Sequence, residues 1–248
     1  MLTVIQVGHD EASDRYIRSK KKAVEQAGMR MKVVNLPESV TTNQLITAVY
    51  NADSEPGCAA ILVQLPLPKH IDRDLVMRNI PPDRDIDGLN PGSLYQPLTP
   101  CAIMRWLHNQ GVKLEGKNVA IFGKSDLVGK PLANLLLDAG AAVTVMGSKA
   151  EERLRFLTCR TADIVISAVG KPNIITEEYI NDYSKPRILI DVGINRDENG
   201  KLCGDISTRA REFVEKNGGV TTPVPGGVGK WTVEELILRL KEMEGRAK

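Results

Sequence analysis

Short apolar runs alternate with stretches of helical period along the first part of the chain. Leu2 to Val7, Met31 to Leu36 and Ala59 to Val63 read as strands. Between them the periodicity predicts a helix from about Ser13 to Ala27 and another after Thr41, where Thr41 and Gln44 form a capping box. The third run ends at Gln64 and is stopped by Pro66 and Pro68. Such alternation predicts parallel strands joined by crossover helices. The pattern restarts at Lys117 with Val119 to Phe122, a glycine-rich turn, and a helix carrying Val128, Leu132, Leu135 and Leu136 on one face. Gly140 stops that helix and Ala142 to Met146 follows, which completes a βαβ unit. Ile164 to Ser167, Ile188 to Val192, a hairpin turning at Asn199-Gly200 and a helix over Thr208 to Lys216 extend it into a doubly wound dinucleotide-binding domain.

Ile80 to Pro100 is rich in Pro, Asp, Gly and Asn, and a loop of that length in a compact protein is expected to contact ligand. Thr99-Pro100 then reads as an N-cap and first helical position, opening a linking helix to about His108. The last helix is expected to start at Thr232, with Glu235 completing a capping box. Its stripe of Val233, Leu236, Ile237, Leu240 and Met243 needs a partner surface, expected on the first domain. The expected architecture is therefore α/β with two domains, one over 1–108 completed by 232–248, the other over 109–231.

Composition narrows the class. The 248 residues are 42% hydrophobic and 26% charged, which supports two modest cores and excludes disorder. Lys and Arg number 33 against 31 acids and are scattered, so nothing points to nucleic acid. Cys58, Cys101, Cys159 and Cys203 lie far apart with no ligand spacing, as expected of free thiols in a reducing cytoplasm. No apolar run reaches the roughly 18 residues of a membrane span, and no signal peptide is apparent. His9, His70 and His108 share no spacing that suggests a metal site or a triad.

Candidate chemistry begins with Tyr16 and Lys20, whose spacing puts phenol and amine on one helical face. The pair precedes the glycine turn, the reverse of the order in short-chain dehydrogenases, so chemistry and cofactor are expected in different domains. Gly123-Lys124-Ser125-Asp126-Leu127-Val128-Gly129 follows a strand and opens a helix, where backbone amides and the helix dipole can hold a pyrophosphate. It is neither a Walker A loop nor a regular G-x-G-x-x-G, because Ser125 and Val128 occupy the later glycine positions. The next strand ends at Met146-Gly147-Ser148-Lys149 without the acid that would bind an NAD ribose, and Lys124, Ser148 and Lys149 favour NADP. Gln64 sits where parallel sheets bind ligands, and its amide both donates and accepts. Asp83, Asp85 and Asp87 alternate but fail the EF-hand pattern, since Leu94 stands at the twelfth position. Asp87 can instead hydrogen-bond an amino-substituted ring. Pro223-Val224-Pro225-Gly226-Gly227-Val228-Gly229 suits close backbone approach to a flat ligand.

In order, these segments resemble the bifunctional methylenetetrahydrofolate dehydrogenase/cyclohydrolase family. The resemblance rests on Val7 to Ser13 with Tyr16 and Lys20, Val63-Gln64-Leu65-Pro66-Leu67-Pro68, and Asp85-Ile86-Asp87-Gly88. It continues through the glycine turn, Ser167-Ala168-Val169-Gly170-Lys171-Pro172, Asp191-Val192-Gly193-Ile194-Asn195 and the Pro225 loop. Three features depart from the family pattern. Members usually carry a further helix before the first strand, whose packing is here expected to be absent or replaced. Lys124 stands where Arg is usual, which loses a bidentate fork. Gly229-Lys230-Trp231-Thr232 replaces the usual Gly-Pro-Met-Thr.

The resemblance implies oxidation of 5,10-methylene-tetrahydrofolate with NADP and hydrolysis of the resulting methenyl cation, without a metal, in a cytoplasmic homodimer serving one-carbon and purine metabolism. It implies Lys20 as the proton-transfer group, Tyr16 orienting it, Gln64 holding it and Asp87 anchoring the pterin. Ser13, Leu65, Pro66, Pro225, Gly226 and Gly227 are implied on the folate side. Gly123, Lys124, Ser125, Val128, Gly129, Ser148, Lys149, Ala168, Val169, Gly170, Ile194 and Thr232 are implied at the dinucleotide. The alternatives are a two-domain NADP dehydrogenase of the shikimate or amino-acid type, and a catalytically silent folate or nucleotide sensor.

Overall fold

The first apolar run forms β1 (Leu2–Val7), and all six of its residues are buried. Burial on both faces explains why it reads as continuous rather than alternating. In this computed structural model, which describes residues 1–180 and 187–246, β1 is followed by α1 (Glu11–Gln26), β2 (Met31–Leu36), α2 (Thr42–Asp53), β3 (Ala60–Val63) and α3 (Arg73–Arg78). The strands lie parallel in the order β2-β1-β3, with Leu2 level with Met31 on one side and Ala60 on the other. Leu2 and Val4 pack on Ile17 and Val24 of α1, whereas Ile5 and Val7 pack on Leu45 and Val49 of α2. α1 starts at Asp10, whose carboxylate accepts from Ser13 N at 2.8 Å. The Thr41–Gln44 capping box forms as its spacing predicts.

The second part of the chain contains α4 (Leu98–Asn109), β4 (Asn118–Phe122), α5 (Gly129–Asp138), β5 (Ala142–Met146), α6 (Glu152–Thr161), β6 (Ile164–Ser167) and β7 (Ile188–Asp191). It ends with the short β8 (Asn195–Arg196) and β9 (Leu202–Cys203), α7 (Thr208–Lys216), β10 (Val220–Thr221) and α8 (Val228–Arg246). Five parallel strands run in the order β10-β7-β6-β4-β5. The chain leaves β4 toward β5 and then crosses to β6 on the other side, so the order reverses between β4 and β6. In open α/β sheets that reversal creates the crevice where ligands bind. The predicted hairpin is the antiparallel β8–β9 pair, whose turn places Gly200 at φ 75°.

Contacts divide the chain into Met1–Leu98 with Val233–Lys248, and Thr99–Thr232. The division therefore falls at the start of α4 rather than at residue 108. Ile103, Trp106 and Leu107 of α4 are buried with Val119, Ile121 and Leu132, so the helix belongs to the second core. α4 also begins at Leu98, one residue before the expected Thr99 cap, with Pro100 inside the first turn where a missing N–H costs no helical bond. α8 begins at Val228, not at Thr232. Gly226 turns the chain at φ 97°, which starts the helix early and leaves Thr232 inside it, its hydroxyl donating to Val228 O at 3.0 Å, rather than at the expected N-cap. Residues 247–248 of the expected helix lie outside the described residues.

The stripe on α8 buries as its period predicts. Leu236, Leu240 and Met243 join Leu2, Val4 and Leu62 in one core. Leu236 has no exposed surface, so Leu236→Ala should cost about 2–5 kcal/mol in a denaturant titration. An unshifted midpoint would mean that α8 contributes nothing to that core. No helix among the described residues is long and apolar enough to cross a membrane.

Candidate active site

Tyr16 and Lys20 occupy successive turns of α1, and Gln64 directly follows β3. Parallel pairing of β3 with β1 sets Gln64 by the bond from its N–H to Ile5 O at 2.8 Å. The three side chains meet. Lys20 Nζ donates to Gln64 Oε1 at 3.1 Å and lies 4.3 Å from the centroid of the Tyr16 ring. Gln64 Nε2 donates to Leu65 O at 2.6 Å, which aims the amide oxygen at the lysine. Pro66 follows a cis peptide bond from Leu65.

Lys20 is only 4% exposed. Burial pulls its amine from the ordinary 10.5 down to about 8, against the opposing charge of Asp87. Burial also pushes the Asp87 carboxyl up, opposed by Lys20 and Arg239. Both groups are thus driven toward their neutral forms, and a proton can be exchanged here near neutral pH.

Asp87 sits on a loop built by neighbours that sequence periodicity does not reveal. Asp85, fully buried, accepts from Gly88 N at 3.1 Å and Asn90 N at 2.7 Å. Gly88 has φ 68°, and a Cβ there would lie 2.6 Å from the Gln96 carbonyl. Arg239 of α8 donates to Ile86 O at 2.9 Å and Gln96 O at 2.7 Å, clamping both ends of the segment that holds Asp87. Ser13 is buried, and its hydroxyl donates to Asp10 at 2.8 Å. Its place is at the start of α1 as support.

In the other unit, Gly123 leaves β4 at φ 117°, and a Cβ on it would overlap Ala168 O. A Cβ on Gly129 would overlap Gly123 O. Gly129 therefore supplies the close helix–strand packing that the usual dinucleotide pattern assigns one position earlier, which is why Val128 is tolerated. Ser125 Oγ accepts from Val128 N at 3.2 Å, and no side chain caps α5. Lys124 lies along Gly147, whose built Cβ would be 3.0 Å from Lys124 Cε, beside exposed Ser148 and Lys149. A turn of glycines, an uncapped helix start and a lysine at the end of β5 fit a phosphorylated dinucleotide.

Ala168, Val169 and Gly170 follow β6 across the strand reversal, with Ala168 N donating to Phe122 O at 2.7 Å. Ile194 is 66% exposed, and its turn faces the 223–229 loop across a hollow of about 40 Å³. Pro225, Gly226 and Gly227 fall in this unit and not in the one that holds Lys20. A Cβ on Gly227 would overlap Pro223 O. Thr232 is buried, and its hydroxyl donates to Val228 O at 3.0 Å within α8. Among the described residues no group of three or more His, Cys, Asp or Glu could hold a metal ion.

Residues 1–87 match the catalytic domain of tetrahydrofolate dehydrogenase/cyclohydrolase, and 97–247 match its NAD(P)-binding domain. The chain belongs to this family. Among its relatives, the bifunctional protein FolD of Streptococcus pneumoniae is 42% identical over 95% of this chain and 83% of its own length. The solved Campylobacter jejuni FolD superposes with a TM-score of 0.91 at 37% identity, covering 100% of this chain and 88% of that one. The Trypanosoma brucei enzyme, solved with NADP cofactor and inhibitor, gives 0.90 at 34% identity over 99% and 86% of the two chains. A shikimate dehydrogenase from Thermus thermophilus, 15% identical with a TM-score of 0.55, shares the fold alone.

Proposed function

We propose that this member of the family oxidises 5,10-methylene-tetrahydrofolate with NADP and hydrolyses the product to 10-formyl-tetrahydrofolate. The observation that carries the reading is the buried Lys20 amine, held by Gln64 over Tyr16 with its pKa near 8. Two nitrogen lone pairs stabilise the positive carbon left by hydride loss, so alignment rather than acid–base work is what that step requires. NADP, when bound, accepts the hydride; Gly123, Ser125, Val128, Gly129, Ala168, Val169, Gly170 and Ile194 would hold it, with Lys124, Ser148 and Lys149 at its extra phosphate.

Hydrolysis needs a proton removed from the attacking water and one delivered to the ring nitrogen that leaves. As the neutral amine that a neighbouring cation favours, Lys20 can take the proton from water and, once protonated by it, deliver that proton to the leaving nitrogen. Gln64 fixes the amine, Tyr16 orients it from beneath and offers its ring to the folate, and Asp87 accepts from the pterin amino group. Family resemblance places Leu65, Pro66, Pro225, Gly226 and Gly227 at the substrate as well. In this reading the protein is a cytoplasmic homodimer whose partners are folate and dinucleotide rather than nucleic acid or membrane.

Initial rates with NADP and with NAD, read at the NADPH or NADH absorbance band, test the proposal. NADP should be favoured at least about 10-fold, the worth of one charged hydrogen bond to the extra phosphate. No reduction of either nucleotide would contradict the dehydrogenase reading, and equal rates would remove Lys124, Ser148 and Lys149 from nucleotide selection.

A further inference from the structure

Asp205 takes no part in the chemistry above, yet it is fully buried at the ligand edge of the five-stranded sheet. Its Oδ2 accepts from Ser167 Oγ at 3.0 Å, Val169 N at 2.7 Å and Gly170 N at 3.1 Å. Its Oδ1 accepts from Lys171 N at 3.0 Å and Asn195 Nδ2 at 2.9 Å. The first four donors belong to the end of β6 and the turn after it, and the fifth to Asn195, the first residue of β8.

A second carboxylate holds Asp205 in place. Asp191, at the end of β7, accepts from Asp205 N and Ile206 N, each at 2.9 Å, and from Gly193 N at 3.1 Å. Its own N–H donates to Thr222 Oγ1 at 2.8 Å, and Arg211 lies 3.4 Å from its carboxylate. The close approach depends on glycine, since a Cβ on Gly193 would overlap the Asp205 carboxylate and one on Gly204 the Asp191 carboxylate.

We propose that Asp205 is the positioning residue of the dinucleotide site, fixing the Ala168–Gly170 turn and the Gly193–Asn195 turn relative to each other. The inference rests on the reading that these two turns contact NADP. A carboxylate is required because it only accepts, and each oxygen here faces donors. An amide would turn an NH2 group toward N–H groups on one side and leave them unpaired.

Asp205→Asn should therefore raise KM for NADP about 10-fold with little change in kcat, and the Kd for NADP measured by calorimetry should move with it. Hydrolysis of supplied methenyl-tetrahydrofolate without nucleotide, assigned to the other unit, should stay within about two-fold of wild type. Ser167→Ala removes one donor at small cost in volume and should raise KM about three-fold. It carries the test should Asp205→Asn be insoluble. An unchanged KM in either soluble variant overturns the proposal, as does equal loss of both activities, which marks a purely structural carboxylate. Wild-type enzyme that reduces no NADP would instead defeat the proposed function itself.

Discussion

Lys20→Met should lower methenyl-tetrahydrofolate hydrolysis by roughly 10²- to 10⁴-fold, the range that a positioned acid–base group contributes. Methionine keeps the length of the stem and removes only the amine, so relief from burying a charge offsets the bond lost to Gln64 Oε1 and the site should lose little stability. Thermal melting within a few degrees of wild type would confirm that the loss is chemical. The dehydrogenase step transfers no proton at the substrate and should fall far less. In wild type the hydrolytic rate should rise with pH up to about 8, because the active neutral amine is the minority form below that value. At pH 7 about one-tenth is neutral, and a bound cation increases that share. A flat profile across this range, or a variant that hydrolyses as fast as wild type, would remove Lys20 from the mechanism.

Gly123→Ala should have the opposite signature. The φ of 117° is strained for any L side chain, and the new methyl would overlap Ala168 O. Relief requires the turns after β4 and β6 to separate, at a cost of several kcal/mol. NADP-dependent oxidation should fall by about 10²-fold or more as the phosphate-facing amides move, while hydrolysis of supplied methenyl substrate persists. Parallel measurement of both activities on one preparation checks this. A normal KM for NADP would show that the turn does not hold the nucleotide.

The elements most legible in the sequence are those whose rule is local. β1, β5 and α7 fall where their apolar runs and period place them, and the Thr41–Gln44 cap depends on residues three apart. Tyr16 and Lys20 met on one face for the same reason. What escaped is held by contacts distant in sequence. Arg239 clamps Ile86 from 153 residues away, and Asp205 reaches Ser167 across 38. No periodicity marks such residues; the glycines beside them, Gly88, Gly193 and Gly204, were the available signal, since each allows a close approach. α8 starts before Thr232 because the turn at Gly226 overrides the local capping pattern that Thr232 and Glu235 satisfy.

The mechanism requires Lys20 to lose its proton near neutrality. Labelling the lysine side chains and following the Lys20 resonance by NMR through a pH titration measures this directly, with Lys20→Met identifying the signal. A midpoint near 8 is predicted, moving lower when a cationic folate analogue binds. A midpoint at the ordinary 10.5 or above would mean that the amine stays charged beside the cation, and would contradict the mechanism.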